Sequence, residues 1–200
     1  MSTTQLLPPG GDVERSSTEG SVTPPSALRA AASPGGEELP SRKHEAYRYA
    51  DLDALKSVWD TLPAAETITL AEGETQQQVW IADGSPVAVR TVQVELAAGA
   101  SLEIFALNTA PQYGRVELDV TLHEGANFAL HAANIGGGKA TQEIVTVVRH
   151  LEPNGTSRQT VRSVLGGTAT GSYLGKVAVA RGAQQTDGEQ SVKAMLLDRG

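Results

Sequence analysis

Cysteine is absent from this sequence of 200 residues. Without a thiol the chain forms no disulfide bond, offers no thiolate to a metal ion and has no thiol nucleophile. A metal bound by this chain would need histidine or oxygen ligands. The four histidines are therefore the first residues to inspect for metal binding or proton transfer.

Aromatic and basic residues are also scarce. Phenylalanine, tryptophan and tyrosine make up 4% of the chain and hydrophobic residues together 40%, so the predicted core is aliphatic. The chain has 16 lysine and arginine residues against 23 aspartate and glutamate residues, which gives a net charge of −7. Because a negative chain repels phosphate backbones, we predict no nucleic-acid partner.

Long apolar runs are missing as well. No stretch approaches the roughly 18 apolar residues of a membrane-spanning helix. The first residues also lack the basic stretch followed by an apolar stretch that directs secretion. From these two absences we predict a cytoplasmic protein with no membrane partner.

The first third of the sequence divides into two segments. Residues 1–40 are rich in glycine, proline, serine and threonine and contain no aromatic residue, so we predict a disordered tail. Residues 41–63 carry apolar side chains at three- and four-residue spacing, with Ser41 as a helix cap and Pro63 as a stop. This pattern predicts a short helical segment.

From Thr67 onward the hydrophobic period is two, as in strands with one buried face. An apolar residue followed closely by glycine also recurs, and these glycines lie 26, 26, 30 and 27 residues apart. They are Gly73, Gly99, Gly125, Gly155 and Gly182. A repeat of this length predicts stacked coils of a β-solenoid over residues 64–200 rather than an antiparallel sandwich, with each glycine giving a positive φ at a corner.

The corner pattern begins again at Leu197 and reaches Gly200. The solenoid is therefore expected to be incomplete at its C-terminal end, where an open strand edge would attract a partner.

No catalytic, metal-binding or cofactor-binding site is predicted. His123 and His131 fall on the solvent side of their strands, and the glycine run before Lys139 lacks the residues and the helix of a phosphate loop. The densest polar segments contain six candidate residues, which are Arg158, Arg162, Gln184, Gln185, Thr186 and Asp187. Two interpretations stay open for them: polar ladders between coils, or contacts with a partner.

Two motifs carry a resemblance to a known family. The region 157–187 resembles the signature of the SufB/SufD family, whose members are subunits of the iron–sulfur cluster assembly complex. The matching residues are Ser157, Arg158, Arg162, Val164, Leu165, Gly167, Ala169, Gly171, Gly175, Val177, Val179, Ala183, Gln184, Thr186 and Asp187, followed by Leu196 and Leu197. Residues 39–52 (LPSRKHEAYRYADL) look like the SufD branch.

The resemblance implies a right-handed parallel β-helix and a noncatalytic scaffold in a SufBCD-type complex, not an enzyme. It implies a SufB-type scaffold subunit and a SufC-type ATPase as partners, and an iron–sulfur cluster and ATP only through those partners. The missing cysteine suits SufD better than SufB. Family members continue past the position of Gly200 into regions that contact SufB and SufC, so we expect this chain to be an N-terminal portion without the SufC-binding segment.

Two alternatives come from other classes of protein. One is a carbohydrate-active β-helix enzyme, in which acidic residues and arginine would line one face of the solenoid. The other is a purely structural solenoid without a partner.

Overall fold

The computed structural model describes residues 39–198. The predicted tail lies outside these residues except for Leu39 and Pro40. The predicted helical segment consists of a 3-10 turn at Glu45–Tyr47, helix α1 at Leu52–Val58 and a second 3-10 turn at Trp59–Thr61. The cap of α1 is Asp51, whose Oδ1 accepts a hydrogen bond from the Ala54 amide at 3.0 Å, and not Ser41 as predicted.

Ten strands follow the helical segment. They are β1 Glu66–Leu70, β2 Thr75–Ile81, β3 Val87–Leu96, β4 Ser101–Asn108, β5 Tyr113–Leu122, β6 Asn127–Gly136, β7 Thr141–His150, β8 Thr156–Leu165, β9 Thr170–Val179 and β10 Asp187–Leu196. The odd-numbered strands form sheet A in the order β1-β3-β5-β7-β9, and the even-numbered strands form sheet B in the order β2-β4-β6-β8-β10.

Every pairing between these strands is parallel, and each strand pairs with the strand two places further along the chain. One strand from each sheet makes one coil, so the described chain forms five coils. The predicted β-solenoid is confirmed, and the antiparallel sandwich is excluded.

The period-two pattern explains the core. Inward side chains of successive coils stack in register, as in the pairs Val94 with Val120 and Leu96 with Leu122. These four residues are buried, and burial of each aliphatic side chain stabilises the fold by about 1.5–3 kcal/mol. The first three coils have an almost wholly apolar interior between the two sheets.

Buried amides and hydroxyls interrupt this interior along one side and in the later coils. Asn108 Nδ2 donates to Asn134 Oδ1 at 3.0 Å, which links β4 to β6. In the fourth and fifth coils, Gln159 Oε1 accepts from the hydroxyls of Thr146 at 2.5 Å and Tyr173 at 2.9 Å. These bonds satisfy polar groups that burial alone would make costly.

The corners differ in part from the prediction. Gly73, Gly99 and Gly125 have φ values of 67°, 65° and 63°. In the fourth coil the positive φ of 63° belongs to Asn154, and in the fifth the corner is longer and Gln185 has φ of 58°. The prediction of a positive φ at Gly155 and Gly182 is therefore wrong.

Gly155 serves a different purpose from the corner glycines before it. A Cβ atom at this position would lie 2.8 Å from Nδ1 of His150. The glycine is thus required by the space that the buried imidazole occupies, and the residue before it makes the turn. Asparagine tolerates the left-handed conformation better than most residues, which explains why Asn154 can take that position.

Candidate interaction site

The helical segment covers part of the outer face of sheet A. Tyr47 and Leu55 are almost completely buried there and belong to an apolar cluster with Tyr113 and Val145. The strand residues of this cluster come from β3, β5, β7 and β9, so the segment crosses four strands of the sheet. On this face, a helical segment packs directly against the outward side chains of the solenoid.

A buried charged cluster lies beneath the segment. Arg115 is 1% exposed and forms ion pairs with Glu117 at 2.8 Å and Glu143 at 3.1 Å. The hydroxyl of Tyr113 donates to Glu143 at 2.5 Å, and the Arg115 guanidinium lies 4.3 Å from the ring centroid of Tyr47. The cluster therefore ties the helical segment to β5 and β7.

The electrostatics of this cluster favour a permanently charged arginine. Burial by itself lowers the pKa of Arg115. The neighbouring Glu117, Tyr113 and Glu143 together raise the pKa by more than burial lowers it, so the pKa is above its ordinary value. Burial raises the pKa of the Tyr113 hydroxyl, so this phenol stays protonated and donates to the carboxylate. The arrangement is a structural clamp, because its charges are paired and shielded from solvent.

Sequence reasoning missed this clamp. The strand pattern places Glu117 on an outer face, where a bare solenoid would expose it to water, but the helical segment buries it. The one available signal was Arg115, which alternates with Glu117 on the same outward side of β5.

The outer face of sheet B is not covered by any residue among positions 39–198. Val79 and Ile81 on β2 are each 66% exposed, Phe105 on β4 is 37% exposed, and Ile135 on β6 is 46% exposed. A groove of about 400 Å³ lies on this face, and its lining is almost entirely apolar. We call the surface formed by these four residues and Leu107 and Ala133 the sheet B patch.

Arg158 and Arg162, two of the predicted residues, lie on the outer face of β8, and Arg162 borders the sheet B patch. Arg158 is exposed and its Nε donates to Glu189 on β10 at 3.0 Å. Arg162 lines the groove and donates to the carbonyl and the hydroxyl of Ser191, at 2.9 and 3.2 Å. Both arginines thus bond across to the next coil while remaining on the outer face.

The other four predicted residues lie around the corner between β9 and β10. The Gln184 carbonyl accepts from the Asn154 amide at 2.9 Å, and the Asp187 amide donates to the Gly155 carbonyl at 3.1 Å, so this corner stacks on the one before it. Thr186 Oγ1 donates to Ala183 within the corner, next to Gln185.

This corner and the groove arginine are separated along β10. Asp187 opens the strand, whereas Arg162 pairs with Lys193 six residues further on, a separation of about 20 Å. The structure therefore brings Arg162 together with the sheet B patch. Arg158, whose register partner Glu189 is two residues from Asp187, lies nearer to the corner residues 184–187.

Three of the four histidines lie in the solenoid, each in a different environment. His123 is partly exposed at a corner and contacts Glu95 at 2.5 Å and Glu152 at 3.5 Å. The hydrogen bond that His123 donates to Glu95 is the main reason that the pKa of His123 is raised. His131 lies on the outer face of β6, and its ring stacks on Phe105 with 4.9 Å between centroids.

The third, His150, is buried inside the solenoid. Its Nε2 lies 2.9 Å from Oγ of Ser157, and burial lowers its pKa. In the part of the chain that the structure describes, no group of three or more His, Cys, Asp or Glu side chains is arranged to hold a metal ion.

A cavity of about 460 Å³ lies between the end of the helical segment and the first coils. The guanidinium of Arg90 lies 4.2 Å from the Trp80 ring centroid and forms an ion pair with Glu66 at 2.8 Å. These side chains close the aliphatic interior at the first coil with polar groups.

The last described coil exposes apolar side chains, and β9 and β10 each have one neighbouring strand. Val179, Val192 and Leu196 are between 51% and 70% exposed. Across residues 39–198, no helix is both long and apolar enough to span a membrane.

Comparison with known proteins gives one match. Residues 73–200, nearly two thirds of the chain, match the family model described as "SUF system FeS cluster assembly, SufBD core domain". The matched region starts at the first corner and contains strands β2 to β10. No curated protein and no solved structure matches the chain.

Proposed function

The chain belongs to the SufB/SufD family of the SUF system, which assembles iron–sulfur clusters, and on this basis we propose that it is a noncatalytic scaffold subunit of the SufD type in a cytoplasmic SufBCD-type complex. Its partners in this proposal are a SufB-type scaffold subunit and a SufC-type ATPase. The iron–sulfur cluster is the cargo of the complex, and ATP acts through the ATPase subunit rather than through this chain.

The observation that carries the proposal is the uncovered sheet B patch. Val79, Ile81 and Phe105 form a continuous apolar surface beside a groove, whereas the apolar residues on the outer face of sheet A pack against the chain's own helical segment. Exposed apolar surfaces of this kind mark sites where another protein docks. A scaffold subunit works by such contacts.

The use of charged residues supports a noncatalytic role. Arg115, Glu117 and Glu143 are buried in the clamp beneath the helical segment, and Arg158 and Arg162 bond between coils. These groups hold the solenoid together, which is the role expected of charges in a scaffold.

The SufD type, rather than SufB, is supported by two features of the sequence. The chain contains no cysteine, and thiolates are the usual protein ligands of iron–sulfur clusters. The segment 39–52, which resembles the SufD branch, supplies Tyr47 to the buried clamp. The carbohydrate-active and purely structural alternatives gain no support from a specific contact among residues 39–198.

Co-purification tests the proposal. The full chain would be expressed together with tagged SufB-type and untagged SufC-type proteins. The identity and the amount of each protein retained through the tag would then be determined. We expect the full chain to be retained with the SufB-type subunit. Recovery of the SufB-type and SufC-type proteins without this chain would overturn the proposed role.

A further inference from the structure

Two positively charged side chains without a carboxylate partner among residues 39–198 lie beside the sheet B patch. Lys193 on β10 is the register partner of Arg162 on β8, and both side chains point outward. Arg162 bonds only to neutral oxygens, of Val161 and Ser191, and Lys193 forms no ion pair among residues 39–198. An apolar groove therefore ends at two cations that no carboxylate neutralises.

The groove has the length of a short helix. It runs across four strands, from Val79 on β2 past Phe105 on β4 and His131 on β6 to Arg162 on β8. With about 4.8 Å between neighbouring strands this distance is about 14 Å, which equals roughly ten residues of α-helix at 1.5 Å per residue. Side chains at positions i, i+3 or i+4, and i+7 of such a helix would meet successive strands.

The chain itself shows this mode of packing on the opposite sheet. The helical segment crosses β3, β5, β7 and β9 and buries Tyr47 and Leu55 against outward residues of those strands. The sheet B patch offers a similar succession of outward apolar residues on β2, β4 and β6, but no residue of the described chain fills it.

Taking these observations together, we propose that the sheet B patch binds an amphipathic helix of another SUF subunit, with aliphatic side chains in the groove and an aspartate or glutamate against Arg162 and Lys193. The charge pattern favours a partner over a second copy of this chain, because two copies that each carry a net charge of −7 repel one another. This inference rests on the proposed function, since it takes the partner from the same complex.

Photo-crosslinking in the co-purified complex identifies the occupant. A benzoylphenylalanine placed at Val79 would be irradiated in the full chain bound to the SufB-type and SufC-type proteins, and the linked peptide would be sequenced. We expect a peptide from one of these subunits with aliphatic residues at i, i+3 or i+4, and i+7 and an acidic residue at one end. The same probe at Lys176, which is exposed on the outer side of sheet A, is the control and should not link to that peptide.

Crosslinking at Val79 to residues 1–38 of the same chain would mean that the chain covers its own groove. Crosslinking to a second copy would mean self-association. Either result, or the absence of a linked peptide, would overturn the proposal.

Affinity measurements separate this inference from the proposed function. The double variant Val79→Asp/Ile81→Asp and the single variant Lys193→Glu should each weaken partner binding at least tenfold. The matched controls Leu151→Asp, an exposed apolar residue at a corner, and Lys176→Glu, the same charge change on sheet A, should bind like the wild type.

Thermal melting of the four variants establishes that their fold is unchanged, as expected for exposed positions. If the wild type binds and the variants of the sheet B patch bind equally well, the groove is not the docking site although the scaffold role stands. If the wild type itself fails to bind, the proposed function fails.

Discussion

Gly114 lies directly against Asn108 inside the solenoid. Nδ2 of Asn108 donates to the Gly114 carbonyl at 3.1 Å, and a Cβ atom at position 114 would lie 2.8 Å from Cγ of Asn108. The same Cβ would also overlap the amide of Gln142. Glycine at this position is what allows the buried amides to approach the backbone of β5.

Replacement of Gly114 by alanine is expected to destabilise the protein by about 1–3 kcal/mol, because the methyl group forces the buried amides apart. The control is Gly137→Ala, where a Cβ atom meets nothing within 4 Å and φ is not positive; it should change stability by less than about 0.5 kcal/mol. Urea unfolding followed by circular dichroism measures both. Equal stability of the two variants would mean that the interior is less tightly packed at Asn108.

Removal of the buried Arg115 should lower the free energy of unfolding by more than removal of the exposed Arg158. Arg115→Ala leaves Glu117 and Glu143 buried without their partner, and such losses cost about 3–5 kcal/mol. Arg158→Ala removes an exposed ion pair and should cost less than about 1 kcal/mol.

Limited proteolysis adds a local measurement to the Arg115 comparison. Cleavage between residues 42 and 60 should become faster in Arg115→Ala, because the helical segment loses its clamp, but not in Arg158→Ala. Unchanged cleavage would show that the apolar contacts alone hold the segment.

The corner assignment predicts a contrast between two glycines that the sequence pattern treats alike. Gly125→Val should destabilise by about 1–3 kcal/mol, because a branched side chain at φ of 63° is strained. Gly182→Val should be nearly neutral, since φ there is not positive and a Cβ atom has open space around it. Thermal unfolding of both variants decides the matter, and a similar loss at the two sites would contradict the assignment.

Two histidines should give opposite pH dependences. The pKa of His123 is raised from 6.5 by Glu95, so its stabilising contribution is present below about pH 6.5 and is lost as the pH rises through the raised value. Burial lowers the pKa of His150, so its contribution is present above about pH 6.5 and is lost as the pH falls, because unfolding then takes up a proton.

Urea unfolding of His123→Gln and His150→Asn at about pH 5.5 and 7.5 tests these signs. The loss of stability relative to the wild type should be larger at the lower pH for His123→Gln, and smaller at the lower pH for His150→Asn. The reverse order for either variant would mean that its imidazole is not in the environment described.

The coils of the solenoid could be predicted from the sequence, but the packing of the helical segment on sheet A could not. Alternation of apolar residues, as at Leu118 and Val120, and the repeated spacing of the glycines depend on local geometry, so they predicted strands, corners and the solenoid. Burial of Arg115 and Glu117 depends on a helical segment more than fifty residues earlier in the chain, and no local pattern reveals that contact.

The candidate site shows the same division. Arg158 and Arg162 were predicted as ladder or partner residues because the polar pattern of β8 is local. Both bond to the next coil, and Arg162 borders the sheet B patch. Val79 and Phe105 were not singled out, because an exposed apolar side chain in a strand pattern looks like any other apolar residue until the opposite face is known. The shift of positive φ from Gly155 to Asn154 likewise depends on the position of the buried His150.

Activity of an iron–sulfur enzyme in host cells that depend on the SUF system tests the central claim most directly. We expect that deletion of the gene for this chain lowers the activity of a [4Fe–4S] enzyme such as aconitase while the amount of the enzyme protein stays constant, and that the full chain restores the activity. Unchanged aconitase activity in the deletion strain would contradict a role for this chain in cluster assembly.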